Sequence, residues 1–156
     1  MSIYVGIPVY NGEKTLKNVI NRIPDKLVDY LILVNDGSTD NTALVISDCV
    51  KKFKFKFKKI VKLSHGKNRG YGAAQKTIYN NFLKMSTKGD IVVLLHADGQ
   101  TVPEEISVLL KRNDQTIILT GSMVPIKGFD FSDGPFNLGF AFAQAQILKP
   151  GVYVCM

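Results

Sequence analysis

Cysteine is scarce in this chain, with Cys49 and Cys155 as the only two examples. Two cysteines without metal-ligand spacing provide neither a disulfide framework nor a zinc site. Disulfide-dependent secreted scaffolds and zinc-finger modules are therefore excluded. A reduced, cytoplasmic setting is expected, because proteins of that compartment rarely depend on disulfides.

Long hydrophobic runs are also absent. The longest late apolar stretch, Leu138 to Leu148, contains Gln144 and Gln146 and is shorter than the roughly 20 residues that span a bilayer. The first residues lack the basic region, apolar core and small-residue cleavage site of a signal peptide. We expect a cytoplasmic protein, and peripheral contact with a membrane is compatible with this setting.

The overall composition is that of a soluble globular protein. The chain has 156 residues, of which 46% are hydrophobic and 21% charged, so disorder throughout is excluded and one domain over residues 1–156 is expected. The formal net charge of +7 favours an anionic partner, such as a nucleotide diphosphate, a nucleic acid or an anionic membrane face. The alternative is that the excess lysines only keep the protein soluble.

Short apolar runs alternate with amphipathic stretches along the chain. The runs Ile3–Val9, Tyr30–Val34, Ile91–Leu95 and Thr116–Thr120 predict buried strands. The alternation predicts an α/β fold with a doubly wound, mostly parallel sheet. Apolar stripes predict the helices: Leu16 to Ile23, ended by Pro24; Ala43 to Val50, capped by Thr39 or Asp40; Ala74 to Met85; and Ile106 to Leu110, opened by Pro103, Glu104 and Glu105.

The segment from Phe53 to Lys58 alternates strictly between phenylalanine and lysine. Such alternation predicts an edge strand with its lysines toward water, which limits pairing with other strands. The other interpretation is a basic patch that contacts anionic lipid or a lipid phosphate. Charge reversal at Lys54, Lys56 and Lys58, followed by liposome binding, distinguishes the two.

Polar residues follow three of the predicted strands, and ligands of such sheets bind at the carboxyl ends of the strands. Tyr10 offers a ring for base stacking, and Asp36 can accept a hydrogen bond from a base or a ribose. Asp98 follows an apolar strand, where an unpaired carboxylate is costly and a divalent cation would offset the cost. The alternatives are packing for Tyr10 and a turn or cap role for Asp98. A glycine-spaced loop, Asn68 to Ala74, adds the cation of Arg69 but is weak evidence alone.

These segments together resemble an inverting family 2 glycosyltransferase with the GT-A fold, in the branch of polyprenyl-phosphate (dolichyl-phosphate) sugar synthases. The matching segments are, in order, Ile7 to Asn11, Val34 to Thr42, Asn68 to Ala74 and His96 to Gln100 with Pro103 after it, and Gly121-Ser122 also fits. The resemblance covers residues 1–123. It implies a Rossmann-like nucleotide-sugar-binding core there, followed by an atypical C-terminal segment over residues 124–156.

The resemblance implies roles for the residues at the first two strand ends. Pro8 and Tyr10 would line the nucleotide pocket, and Glu13 matches an acidic position close to it. Asp36 matches the second aspartate of the usual V-D-D-G-S motif, which binds the base. Asn35 stands in place of the first aspartate of that motif.

The resemblance also implies a metal site and a reaction. Asp98 matches the last aspartate of the D-x-D motif and would bind Mg²⁺ or Mn²⁺ together with the diphosphate. His96 replaces the first aspartate, which contacts ribose or sugar, and Arg69 would assist the leaving diphosphate. The implied donor is a UDP- or GDP-sugar, the implied acceptor includes a polyprenyl phosphate, and no nucleic-acid partner is expected. Such an enzyme serves cell-envelope or glycan biosynthesis.

The likeness fades after Ser122. The family continues with an acceptor-binding half, whereas Phe136 to Met156 is apolar and predicts either a helix that caps the sheet or a remnant. Asp130 and Asp133 are the only late carboxylates, and no catalytic base is assigned. Two functions follow: an active glycosyltransferase, or a truncated, inactive nucleotide-sugar-binding module or subunit that works with a partner subunit.

Overall fold

The computed structural model describes residues 1–111, 116–120, 143–144, 146–148 and 151–155. The chain forms two compact units, Met1–Ile106 and Ser107–Met156. The elements in chain order are β1 (Ile3–Val9), α1 (Leu16–Arg22), β2 (Tyr30–Asp36), α2 (Thr42–Lys52), β3 (Lys59–His65), α3 (Tyr71–Met85), β4 (Ile91–Leu94), a 3₁₀ turn (Pro103–Glu105), α4 (Ile106–Lys111), β5 (Thr116–Thr120) and β6 (Gly151–Cys155).

The first four strands form one parallel sheet in the order β3-β2-β1-β4. Tyr4 of β1 lies opposite Tyr30 of β2, and Ile3 lies opposite Ile91 of β4 on the other side. The chain moves outward from β1 to β3 and then returns through α3 to β4, so the direction of winding reverses between β1 and β4. The predicted doubly wound, mostly parallel α/β sheet is confirmed.

Every side chain of β1 is buried, and so are those of β2 from Leu31 onward. Burial on both faces explains why these runs are apolar without alternation. Strand β2 extends beyond the predicted Val34 to include Asn35 and Asp36, both buried. The end of β2 therefore places the buried polar side chains of Asn35 and Asp36 at the carboxyl edge of the sheet.

Helix α3 packs on β1 and β2, where Ala74 and Ile78 contact a core of Tyr4 and its neighbours. The helix approaches closely because β1 has a glycine at position 6, where a Cβ would collide with the Ile78 side chain. Helices α1 and α2 pack against each other. Because parallel crossovers are right-handed, reversal of the winding places α3 on the opposite face from α1 and α2.

The predicted helix boundaries hold with small shifts. Helix α1 ends at Arg22, two residues before Pro24. The predicted N-cap of α2, Thr39 or Asp40, is wrong, because the N-cap is Asn41, whose side chain makes no cap bond. Asp40 nevertheless serves the helix start, because its Oδ1 accepts the Thr42 backbone N–H at 3.0 Å.

The predicted edge strand from Phe53 to Lys58 is wrong. This segment forms turns after α2, and the edge strand β3 begins at Lys59. Phe53 and Phe57, four residues apart, are buried, whereas Phe55 is 89% exposed. In the alternative interpretation, a basic patch, two of the lysines are paired: Lys56 with Asp25 at 3.0 Å and Lys58 with Asp29 at 2.8 Å.

The second unit contains a two-stranded parallel sheet, in which Thr116 of β5 pairs with Gly151 of β6. The strand predicted over Thr116–Thr120 is confirmed. Residues 143–144 and 146–147 are helical, while Gly151–Cys155 form a strand within the stretch expected as a helix or remnant. The expectations for Gly121, Ser122, Asp130 and Asp133 fall outside the described residues.

Asp29 binds the backbone at the start of β1, and we expect its protonation to lower the stability of the fold in acid. Its Oδ2 accepts the Ile3 N–H at 2.9 Å and its Oδ1 meets Lys58 Nζ at 2.8 Å. The Lys58 ammonium, followed by the Ile3 N–H, lowers the pKa of Asp29. A carboxylate with a lowered folded pKa stabilises the fold above its unfolded pKa of about 3.9. That contribution is lost as the pH falls through the folded pKa.

Urea unfolding measured at several pH values from 6 down to about 3 checks this expectation. Wild type should lose stability more steeply below about pH 4 than Asp29→Asn, which cannot titrate. Asp25→Asn is the control, because Asp25 is 81% exposed in its pair with Lys56. Equal acid slopes for wild type and Asp29→Asn would contradict the assignment.

Candidate functional site

A cleft of about 190 Å³ opens at the carboxyl edge of the sheet, beside the point where the winding reverses. It lies between the end of β1, the end of β2 and the start of α3. The lining residues are Pro8, Val9, Tyr10, Asp36, Asn68, Gly70, Tyr71 and Ala74. The structure therefore brings together the predicted residues Pro8, Tyr10 and Asp36, with the backbone of the glycine-spaced loop.

Asp36 is the buried carboxylate of this cleft, with a side chain that is 4% exposed. Its Oδ1 lies 2.6 Å from His65 Nδ1 and accepts the Arg69 backbone N–H at 3.0 Å. Because the carboxylate only accepts, Nδ1 of His65 carries the proton of this bond. The second ring nitrogen, Nε2, lies 2.9 Å from the Thr77 hydroxyl on α3. Asp36 is thus held by β3, by the loop and, through His65, by α3.

Gly37 allows the loop to reach Asp36. Its φ of +65° lies in the left-handed region that favours glycine. A Cβ at this position would collide with the backbone of Lys67 and Asn68. The absence of a side chain lets that backbone pass directly beside the turn after β2, which places the Arg69 N–H on Asp36.

The loops after β1 and β2 are joined by hydrogen bonds that include Glu13. Glu13 Oε2 accepts the Asn41 N–H at 3.1 Å, and the Glu13 N–H donates to Asp40 Oδ2 at 3.2 Å. Thr39 donates its N–H to Asn11 Oδ1 at 2.9 Å. The structure places Glu13 in this junction and not among the lining residues of the cleft. The junction holds Tyr10, which is 50% exposed, at the rim.

His96 is tied to α3 by Tyr71, a residue that the sequence analysis did not single out. The Tyr71 hydroxyl lies 3.0 Å from His96 Nε2, and the two rings are 5.2 Å apart. Burial raises the pKa of Tyr71, and the nearby Asp98 carboxylate adds to the rise, so the phenol stays protonated. Tyr71 therefore connects the cleft to the loop after β4.

Asp98 is exposed, so the argument that burial there would demand a cation is wrong. Its Oδ1 accepts the Gln100 N–H at 3.0 Å, and its described contacts do not use Oδ2. Within the described part of the chain, no group of three or more His, Cys, Asp or Glu side chains could hold a metal. One accessible carboxylate still fits Mg²⁺ or Mn²⁺ that takes its remaining ligands from phosphate and water.

Arg69 contributes its backbone to the site, while its residue as a whole is exposed. Arg69 is thus a solvent-accessible residue between Asn68 and Gly70, which line the cleft. His65 was not predicted as a site residue, although its position at the end of β3 is equivalent to those of the other polar strand ends. The predicted Phe53–Lys58 strand obscured that signal.

The fold and the site define an α/β protein with a ligand cleft at the reversal point of a parallel sheet. The model of glycosyl transferase family 2 matches residues 4–155, and the chain belongs to this family. The family resemblance stated from the sequence is confirmed, but its expected end at Ser122 is wrong, because the family match continues to residue 155.

Two relatives illustrate the relationship. UDP-N-acetylglucosamine–dolichyl-phosphate N-acetylglucosaminyltransferase of Methanococcus voltae is 31% identical over 166 aligned residues, which cover 97% of this chain and 64% of that protein. Undecaprenyl-phosphate 4-deoxy-4-formamido-L-arabinose transferase of an Enterobacter species is 32% identical over 126 residues, which cover 78% of this chain and 36% of that protein. The chain thus spans less than two thirds of the length of either relative.

Solved structures show the same fold. Glucosyl-3-phosphoglycerate synthase from Mycobacterium tuberculosis in complex with UDP has a TM-score of 0.59 at 22% identity, covering 96% of this chain and 53% of that chain. The same enzyme in complex with Mn²⁺, UDP and phosphoglyceric acid has a TM-score of 0.56 at 22% identity, covering 96% and 52%. The GT-A fold is confirmed. None of the described helices is long and apolar enough to cross a bilayer.

Proposed function

We propose that this chain is the donor-binding part of an inverting glycosyltransferase that uses a nucleotide-diphosphate sugar and a divalent cation. The observation that carries the proposal is the cleft at the reversal point, which combines the buried carboxylate of Asp36 with the exposed ring of Tyr10. A base that stacks on Tyr10 can donate a hydrogen bond to Asp36. Arg69, an exposed residue of the loop that lines the cleft, would supply positive charge for the diphosphate.

The metal site of the proposal consists of Asp98, with His96 as its neighbour. When bound, Mg²⁺ or Mn²⁺ would neutralise negative charge that develops on the leaving nucleoside diphosphate. Tyr71 holds the imidazole of His96 at the start of α3, which orients it beside the donor site. The proposal of such a metal is supported by the similar fold of glucosyl-3-phosphoglycerate synthase, which was solved in complex with Mn²⁺ and UDP.

We further propose a polyprenyl phosphate as acceptor. Its support is that the names of the two relatives specify dolichyl phosphate and undecaprenyl phosphate. In this reaction a phosphate oxygen of the acceptor bonds to the anomeric carbon while the bond from that carbon to the diphosphate breaks. Attack from the opposite face inverts the configuration.

A phosphate is already a nucleophile, so the reaction needs no general base to activate it. The setting is cytoplasmic glycan biosynthesis at the membrane surface, where a further subunit can assist.

Titration calorimetry with UDP-sugars and GDP-sugars, with and without Mn²⁺, tests donor binding. We expect metal-dependent binding, and Tyr10→Ala should weaken it about tenfold because base stacking on an aromatic ring contributes about 1–3 kcal/mol. Leu44→Ala is the control, since Leu44 is an exposed side chain on α2 outside the cleft. Absence of any binding to folded wild type would refute the proposal.

Sugar transfer to a polyprenyl phosphate in detergent tests the second half of the proposal. Transfer supports an active transferase. Donor binding without transfer or hydrolysis supports the alternative, an inactive nucleotide-sugar-binding module or subunit.

A further inference from the structure

We propose that His65 holds the Asp36 carboxylate so that a single oxygen is left for the nucleobase, and that this arrangement selects uracil over guanine and cytosine. The inference rests on the proposed function, because it assumes that the cleft binds a nucleotide. It adds a positioning residue on β3 and a base specificity.

Both described contacts of Asp36 use the same oxygen. Oδ1 receives the His65 Nδ1 proton at 2.6 Å and the Arg69 N–H at 3.0 Å. A carboxylate oxygen has two lone pairs, so these two donors fill Oδ1. No other described residue donates to Asp36, and Asp36 lines the cleft. The oxygen that the cleft can offer to a ligand is therefore Oδ2.

The His65 side chain cannot easily turn away from this contact. It is 7% exposed, and its Nε2 is engaged by the Thr77 hydroxyl at 2.9 Å. The Thr77 hydroxyl oxygen also lies 3.0 Å from the Ala73 carbonyl oxygen within α3, and this contact keeps the hydroxyl beside the ring. The ring is thus fixed at both nitrogens, and the orientation of Asp36 is fixed with it.

A single accepting oxygen distinguishes the bases by their hydrogen-bonding edges. Uracil presents one ring N–H donor, at N3, which one oxygen satisfies. Guanine presents two parallel donors, at N1 and N2, which need two oxygens side by side, so one buried donor would be left unpaired. Cytosine has a donor only at its N4 amine, and at N3, where uracil donates, it presents an acceptor that a carboxylate repels. The geometry of Asp36 therefore favours a uridine diphosphate donor.

Calorimetric titration of the whole chain with UDP, CDP and GDP in the presence of Mn²⁺ tests the inference. Wild type should bind UDP about tenfold more tightly than CDP or GDP, the scale of one unpaired buried donor or acceptor. UDP and CDP are a matched pair, because they differ only at the pyrimidine edge that faces Asp36.

Two substitutions separate positioning from folding. In His65→Asn the amide nitrogen takes the place of Nδ1, so affinity for UDP should stay within about threefold of wild type. In His65→Gln the amide takes the place of Nε2 and the donor to Asp36 is lost. We expect affinity for UDP to fall about tenfold and the preference over CDP to shrink below about threefold. Urea unfolding of both variants measures any loss of stability.

The ratio of UDP to CDP affinity is the decisive quantity, because a purely structural loss would weaken both nucleotides equally. Equal affinity of wild type for the three nucleotides, or an unchanged ratio in His65→Gln, would overturn the inference while leaving donor binding intact. If folded wild type binds none of the three, both the inference and the proposed function fail.

Discussion

Replacing Gly37 with alanine is expected to lower the free energy of unfolding by about 3 kcal/mol and to weaken nucleotide binding at least about tenfold. The added Cβ meets two penalties, a φ of +65° and a collision with the backbone of Lys67 and Asn68. Relief of the collision moves the loop and removes the Arg69 N–H from Asp36. Urea unfolding and UDP titration measure the two effects.

Two other glycines provide matched controls. Gly66→Ala should change stability by less than about 0.5 kcal/mol, because a Cβ there meets no atom within 4 Å and its φ is not positive. Gly89→Ala isolates backbone strain, since Gly89 has a φ of +93° in open space. A loss at Gly37 no larger than the loss at Gly89 would show that the loop does not depend on the close approach.

Replacing Asp98 with alanine is expected to remove the effect of Mn²⁺ on UDP binding, a loss of about 100-fold in affinity at saturating metal. The physical reason is that the proposed cation would lose its only protein carboxylate. Stability should be nearly unchanged, because Asp98 is exposed and its one described hydrogen bond, to Gln100, closes a surface turn. Titration with UDP, with and without Mn²⁺, measures the loss.

Asp48→Ala serves as the charge-matched control, because it removes an exposed carboxylate from α2, outside the cleft. Its metal-dependent binding should equal that of wild type. If Asp98→Ala retained the full effect of Mn²⁺, the metal would have to be held by another residue, and the assignment of the D-x-D position would fail.

The strands that the sequence predicted well are continuous apolar runs, both in the centre of the sheet, as β1 is, and at its edge, as β4 is. Ile3–Val9 matches the observed β1, since continuous apolar residues suit a strand covered by helices on each side. β3, at the opposite edge of the sheet from β4, was missed because its apolar run is interrupted. Its exposed positions carry Lys59 and Lys62, so its apolar signal is diluted. A continuous apolar run therefore identifies a strand even at an edge of the sheet, as in β4, and a strand interrupted by exposed lysines lacks that signal.

The alternating Phe53–Lys58 segment fits two structures, a strand, which was predicted, and a series of turns, which is observed. Alternation of phenylalanine and lysine matches a strand, but only Phe53 and Phe57 are buried, at a spacing of four. Their rings are buried at the turn that follows α2, and Phe55 points to solvent. Which phenylalanines enter the core depends on where α2 ends, which is decided by the packing of the helix and not by local alternation.

The sequence by itself determined the βαβ order and the residues that follow each strand, because burial and turn chemistry are local properties. It therefore identified Tyr10, Asp36 and Asp98 as members of one sheet edge. Only the tertiary structure decided their partners. His65 meets Asp36 across 29 residues of chain and Tyr71 meets His96 across 25. These contacts depend on the order of the strands and on the approach of the Lys67–Asn68 backbone to Gly37. Neither can be predicted from a local sequence pattern.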